Sequence, residues 1–305
     1  MAAHAEPALG PCAVDVFAAT PGVKRPERLV ARLLIVSPDA GGMSDAIQRK
    51  LDTGLPNYEQ IAFNPRRDFR RGLSSQATVV VAGGDGTIAF VARALAGSRR
   101  RLGILPLGTY NNFARGLGIP TNLRRALAVI RAGRTRPVTL GRVNDHYFLE
   151  AAAIGFFGEA ILLGEKAKDG ALTSISRELG AVVKAQPFTF TTRGDFEGHG
   201  RSRSLVFTNT PSTGSRLPIG TTEPTDPYLE LSVGVGKSRS DLLGRLFASS
   251  IRDKHEDDVT ISFRFRALTI TTKPRVAVVA DNERAGRTPA TVQAVPGALR
   301  VIVPA

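Results

Sequence analysis

Residues 78–87 read Thr-Val-Val-Val-Ala-Gly-Gly-Asp-Gly-Thr, a buried-strand pattern that runs straight into a glycine-rich turn with one carboxylate at its centre. Three glycines let backbone N–H groups crowd around a phosphate without side-chain obstruction. The apolar run 88–95 reads as a helix, so its positive end faces the same point. Asp85 has no packing reason to be there. A carboxylate beside phosphate-binding amides suggests work on a metal ion, or on a proton leaving a nucleophile. Taken alone, the segment is equally compatible with an ordinary connecting turn, because Gly-Asp-Gly is a common turn former.

A second stretch shifts that balance. Residues 101–106 form another short apolar strand, which runs into Leu107-Gly108-Thr109-Tyr110-Asn111-Asn112-Phe113-Ala114-Arg115. Thr109, Asn111 and Asn112 set small polar groups at a strand's C-terminal end, where open α/β sheets bind ligands. The helix that starts there is expected to stop at Gly116, with Pro120 beyond it. Two consecutive strand–polar loop–helix units place both loops on one rim.

These residues together resemble the diacylglycerol kinase catalytic-domain family, which includes bacterial lipid kinases and sphingosine kinases, with NAD kinases as distant relatives. The resemblance rests on Gly83-Gly84-Asp85-Gly86-Thr87 and on 102–109 followed by Asn111-Asn112-Phe113-Ala114-Arg115. Weaker likenesses follow along the chain. Ser37-Pro38-Asp39-Ala40-Gly41-Gly42 sits where the family has an Asn-Pro-x-x-Gly nucleotide loop, and Ala153-Ile154-Gly155-Phe156 looks like the entry into the family's second domain. Asp226-Pro227-Tyr228-Leu229-Glu230-Leu231 is similar to an Asp-Gly-x-Leu-Asp segment, and Asp281-Asn282-Glu283 falls where the family carries Asp-Gly-Glu.

Composition bounds the partners. At 305 residues and 42% hydrophobic the chain can bury a large core and is expected to form two domains. Nothing approaches eighteen consecutive apolar residues, so no transmembrane helix is expected. The single Cys12 excludes an intramolecular disulfide and fits a reducing cytoplasm. A net charge of +14, mostly from arginine, favours anionic partners: nucleic acid, an acidic membrane surface or nucleotide phosphates. Nucleic acid is disfavoured, since there is no Trp and no zinc, RRM or helix-turn-helix signature. The four histidines have no paired spacing for zinc.

The pattern along the chain predicts a disordered tail over 1–27, a nucleotide-binding α/β domain over 28–136, and a β-rich lipid-substrate domain over 137–305. Strands at 29–36, 58–63, 78–82 and 102–105 alternate with helices at 44–51 and 123–132, which implies a three-layer, mostly parallel sheet. Past Pro137, Asn144-Asp145 marks a hairpin between 138–143 and 146–153. Helical character returns over 159–166 and 175–184. From residue 188 short strand-like runs dominate and suggest an antiparallel β-sandwich; the last of them is 299–303.

Phosphoryl transfer needs phosphate-binding amides, a divalent cation and a base near the attacking hydroxyl. The loops at Ser37, Pro38, Gly41 and Gly42, and at Gly83, Gly84, Gly86 and Thr87, are the expected cradle for ATP, with Thr109 and Asn111 beside them. Asp85 is the first candidate to hold Mg²⁺ through water or to polarise the acceptor. The resemblance implies Glu283 as proton acceptor with Asp281 beside it, and Asp226 at a second, structural Mg²⁺ site. It further implies an ATP-dependent kinase for a diacylglycerol- or sphingoid-like lipid, cytoplasmic and peripheral at an anionic inner membrane face. The sequence departs from the family pattern at several points. Ser37 replaces an Asn, Ala89 and Phe90 replace Asn-Glu, Asn112 replaces an Asp, and Pro227 and Asn282 each replace a Gly. These departures keep two alternatives open: a nucleotide- or lipid-binding protein without turnover, and an NAD kinase-like enzyme.

Overall fold

The computed structural model describes residues 29–160, 162, 186–213, 217–234 and 260–305. The expected tail over 1–27, the helix over 175–184 and most of that over 159–166 lie outside the described residues.

The first part of the chain alternates as its pattern predicts. Strand β1 (Val30–Val36) leads to helix α1 (Asp45–Gly54), then β2 (Glu59–Ala62), β3 (Leu73–Gly83), α2 (Asp85–Leu95), β4 (Arg101–Pro106), α3 (Asn112–Gly116) and α4 (Leu123–Ala132). Strands pair in parallel in the order β2-β1-β3-β4. Successive residues point to opposite faces of a strand. Thus Leu33, Ile35, Val79 and Val81 meet Ile88, Val91 and Leu95 of α2 on one face. Leu34, Val36, Val80 and Ala82 meet Leu51 of α1 and Ala126, Leu127 and Ile130 of α4 on the other. Each such Val, Leu or Ile side chain, taken fully out of water, stabilises the fold by roughly 1.5–3 kcal/mol. The result is a three-layer α/β domain.

Local chemistry sets the helix ends. Ser44 caps α1 by accepting the Ile47 N–H, and Asn122 caps α4 by accepting the Arg125 N–H. Gly133 closes α4 in the left-handed conformation that a Cβ disfavours. The third helix stops where expected: Gly116 is its last residue, Leu117 caps it, and Gly118 just behind is the left-handed glycine.

The rest is antiparallel. The strands are β5 (Thr135–Val143), β6 (His146–Phe148), β7 (Ala151–Gly155), β8 (Phe188–Gly194), β9 (Gly198–Ser202), β10 (Ser204–Thr208), β11 (Ser212–Thr213), β12 (Leu217–Pro218) and β13 (Leu229–Gly234). They continue as β14 (Thr260–Phe265), β15 (Ala267–Lys273), β16 (Ala277–Ala280), β17 (Glu283–Arg287) and β18 (Ala290–Ile302). One sheet runs β14-β13-β10-β7-β16-β17. It packs Ile154, Leu205, Phe207 and Leu231 against Phe188, Phe190, Leu268 and Val292 of the facing layer. That facing layer is not a separate sheet. Strand β18 pairs antiparallel with β15 and β5, then parallel with β4, and so extends the nucleotide-side sheet into the antiparallel half. The break in pattern at residue 137 falls inside β5.

Candidate active site

Because β1, β3 and β4 are neighbours, the loops at their C-terminal ends lie side by side on one rim, the place where open α/β sheets take ligands. The loops are tied to each other. Leu107 N–H donates to Gly83 O at 2.9 Å, and Gly42 N–H donates to Leu107 O at 3.0 Å. A Cβ on Gly108 would stand 2.7 Å from Gly84 Cα, so the second motif needs a glycine there for its backbone to approach the first. Asn111 folds back on its own loop, its amide accepting from Gly108 N–H at 3.0 Å and donating to Gly108 O at 2.7 Å. Asn111 also adopts left-handed φ, which Asn tolerates better than most residues.

Gly41 and Gly86 are different. A Cβ at either would meet nothing within 4 Å, and neither has a positive φ. Neither backbone conformation nor packing demands a glycine there, so the open space above them fits a ligand that approaches the backbone closely, as nucleotide phosphates do.

These loops face a cleft of about 640 Å³ between the α/β rim and the hairpin turn joining β16 to β17. Ser37, Gly41, Gly84, Asp85, Gly86 and Thr87 line its near side, with Thr109 at the edge. Asp281 and Glu283 line the far side. Pro38, Gly42, Gly83 and Asn111 do not line this cleft; Gly42 and Asn111 line a neighbouring cavity of about 920 Å³. Asp226 stands apart: its carboxylate accepts the Glu223 N–H at 2.9 Å, and its carbonyl accepts the Thr139 hydroxyl.

The carboxylates differ in what they do. Asp85, in the first turn of α2, accepts the Asn111 N–H at 2.8 Å and so joins the two motifs. Asp281 sits at the hairpin turn and accepts the N–H groups of Leu149 and Glu150. Its carboxyl is raised above the ordinary range by burial, against the pull of those N–H groups and of Arg93. Glu283 is half exposed, bound by the Arg93 guanidinium and 3.7 Å from His146 Nε2. Burial pushes the His146 imidazole below its usual value and Arg93 adds to this, while Glu283 and Asp281 act the other way.

Sequence reasoning missed two side chains in this cleft. Glu150 is partly buried, accepting from Thr213 Oγ1 at 2.8 Å and from Asn112 Nδ2 at 3.2 Å. Burial, with Asp85 and Asp281 nearby, raises its carboxyl to about 8. Thus a carboxyl lies one hydrogen bond from Asn112, the position where an Asp is replaced. Arg93 on α2 is the second, spanning to Asp281 and Glu283. The available signal was the same for both: a charged residue inside an otherwise apolar run, 147–154 for Glu150 and 88–95 for Arg93.

Among the described residues no group of three or more His, Cys, Asp or Glu is placed to share a metal ion. A magnesium ion does not need one, since it commonly takes one or two carboxylates plus waters and substrate phosphates. The residues fit that mode, with Asp85 as the carboxylate nearest the phosphate loops.

Comparison with known proteins gives the family and the fold. The pattern of the diacylglycerol kinase catalytic domain matches residues 33–143, which hold all three rim loops. A diacylglycerol kinase of Mycobacterium tuberculosis (strain ATCC 25618 / H37Rv) is 32% identical over 246 residues, covering 74% of this chain and 76% of that protein. A probable YegS-like lipid kinase of Klebsiella pneumoniae (strain 342) is 50% identical over 86 residues, 28% of this chain and 29% of its own. A crystal structure of a Bacillus anthracis diacylglycerol kinase superposes with a TM-score of 0.67 over 90% of this chain and 97% of that one, at 20% identity, which speaks to the fold. The chain belongs to the diacylglycerol kinase catalytic-domain family.

Proposed function

We propose that this protein is an ATP-dependent lipid kinase, transferring the terminal phosphate of ATP to a hydroxyl of a diacylglycerol- or sphingoid-like lipid. The observation that carries this reading is the facing of two halves: Gly86 and Asp85 on the rim, and Glu283 on the hairpin turn across the same cleft. ATP phosphates lie over Gly41 and Gly86, whose amides and the N-terminus of α2 favour negative charge. Asp85 would hold a Mg²⁺ ion, which when bound would supply positive charge against the nucleotide phosphates. Glu283 takes the proton of the attacking hydroxyl. Asp281 positions rather than reacts, since its carboxylate is occupied by two backbone N–H groups. The basic net charge suits a peripheral position on an anionic membrane face, and no described helix is long and apolar enough to cross a membrane.

A second reading, nucleotide binding without turnover, draws support from the Arg93 guanidinium on Glu283, which ties up the expected base. Radiolabelled ATP offered with diacylglycerol, a sphingoid base and NAD in parallel tests both. Label in a lipid supports the kinase reading. Label in NAD alone, or ATP bound with no label transferred, contradicts it.

A further inference from the structure

The charge of the cleft conflicts with a polyanionic ligand. Asp39, Asp85, Glu150, Asp281 and Glu283 line it, and among the described residues Arg93 is its single cationic side chain. A nucleoside triphosphate brings several more negative charges. Glycine amides and a helix N-terminus offer partial charges only, about half an elementary charge for the whole helix end. The divalent ion offsets part of the rest. Within the cleft lining a full positive charge comes from Arg93; Lys50, Arg115, Arg124 and Arg131 line the neighbouring cavity, on the other side of Gly41, Gly108 and Thr109.

The surroundings of Arg93 suit that task. Its side chain is 15% exposed, and its guanidinium contacts Asp281 at 3.5 Å and Glu283 at closer range. A guanidinium is a planar fork that matches phosphate as well as it matches carboxylate. Glu283 is half exposed, so water can replace Arg93 there at small cost. Asp281 keeps its two backbone donors when the guanidinium turns away.

We propose that Arg93 is the phosphate-binding cation of this cleft, exchanging Glu283 for the terminal phosphates of the nucleotide and so releasing Glu283 toward the acceptor. The proposal rests on the nucleotide-dependent reading above. It makes the base available when the nucleotide is seated, because the guanidinium edge that holds Glu283 is then taken by phosphate.

The test is the affinity of Mg·ATP and of adenosine for the wild-type protein and for Arg93→Gln, Arg93→Lys and Glu283→Gln, by calorimetry and competition. Circular dichroism and thermal melting check that each variant folds. Arg93→Gln should weaken Mg·ATP by about 10- to 100-fold and adenosine by less than about threefold. Arg93→Lys should fall between, keeping the charge but losing the fork. Glu283→Gln breaks the same ion pair from the other side, and should leave Mg·ATP binding unchanged or tighter. A merely structural ion pair gives a different result: Arg93→Gln and Glu283→Gln then behave alike, or Arg93→Gln leaves the ATP affinity intact. Either result overturns the proposal. A folded wild-type protein that binds no Mg·ATP overturns it together with the reading it rests on, and so separates the two failures.

Discussion

The Asp85 carboxylate accepts the backbone N–H of Asn111 at 2.8 Å, across 26 positions of sequence, and this bond makes two separate glycine-rich motifs one site. The carboxylate therefore serves geometry as well as charge. Replacing Asp85 by Ala should leave the Asn111 N–H without its acceptor and destabilise the chain by about 1–3 kcal/mol. Asp85→Asn keeps an acceptor oxygen but removes the charge. It should recover most of the stability while phosphate transfer stays at least about 100-fold down. Chemical denaturation beside a transfer assay separates the two effects.

The glycines of the rim should divide into two kinds under substitution. Gly108→Ala forces a Cβ to within 2.7 Å of Gly84 Cα and 2.9 Å of Asn111 Oδ1. The expected cost is about 1–3 kcal/mol of stability, because the crowding is largely against backbone. Gly86→Ala meets nothing within 4 Å and sits inside α2. Stability there should hold or rise by up to about 1 kcal/mol. Nucleotide affinity should nevertheless drop about tenfold or more, because the added methyl occupies the cradle. Unchanged ATP affinity in folded Gly86→Ala would remove the phosphate role from this loop.

Stability should depend on pH through Glu150. Its folded carboxyl titrates at about 8, above its ordinary value of 4.5, so the unfolded chain loses that proton first. Between pH about 4.5 and 8 the unfolded state binds fewer protons, and stability falls as pH rises. The loss is complete above about pH 8 and amounts to at most about 5 kcal/mol. Asp281 contributes with the same sign, its carboxyl also being raised by burial. Glu150→Gln removes the Glu150 part, so the melting temperature of this variant should exceed the wild-type value by a margin that widens from pH 5 to pH 9. A margin independent of pH contradicts the assignment.

Asn112 and Glu150 should behave as one unit. Asn112→Asp alone sets a second carboxylate about where Asn112 Nδ2 now donates at 3.2 Å, and should destabilise the chain. Adding Glu150→Gln restores one donor and one carboxylate with their places exchanged. A double-mutant cycle should show a coupling of about 1–3 kcal/mol, and additive effects would show that the pair is incidental.

What could be read in advance was local. Strand β3, its glycine turn and helix α2 are contiguous, so the strand's buried run and the turn chemistry pointed to the rim loops directly. Helix α4 was equally plain, because Asn122 and Gly133 cap an unbroken helical repeat. Strand β18 was not, since Pro296-Gly297 reads as a turn. The chain instead passes through a ladder irregularity between Val295 and Leu299, with Gly297 at positive φ, and carries on to β4. The far wall of the cleft was harder still. Glu150 meets Asn112 across 38 positions, and Arg93 meets Glu283 across 190. Such pairings depend on how the antiparallel half folds over the rim, and no local period encodes that.

The most direct test follows labelled γ-phosphate from ATP into a diacylglycerol- or sphingoid-containing mixed micelle, with wild type, Asp85→Asn and Glu283→Gln side by side. The account predicts labelled lipid from wild type alone, with ATP still bound by Glu283→Gln. No lipid label from folded, ATP-binding wild type, or undiminished label from either variant, would contradict it.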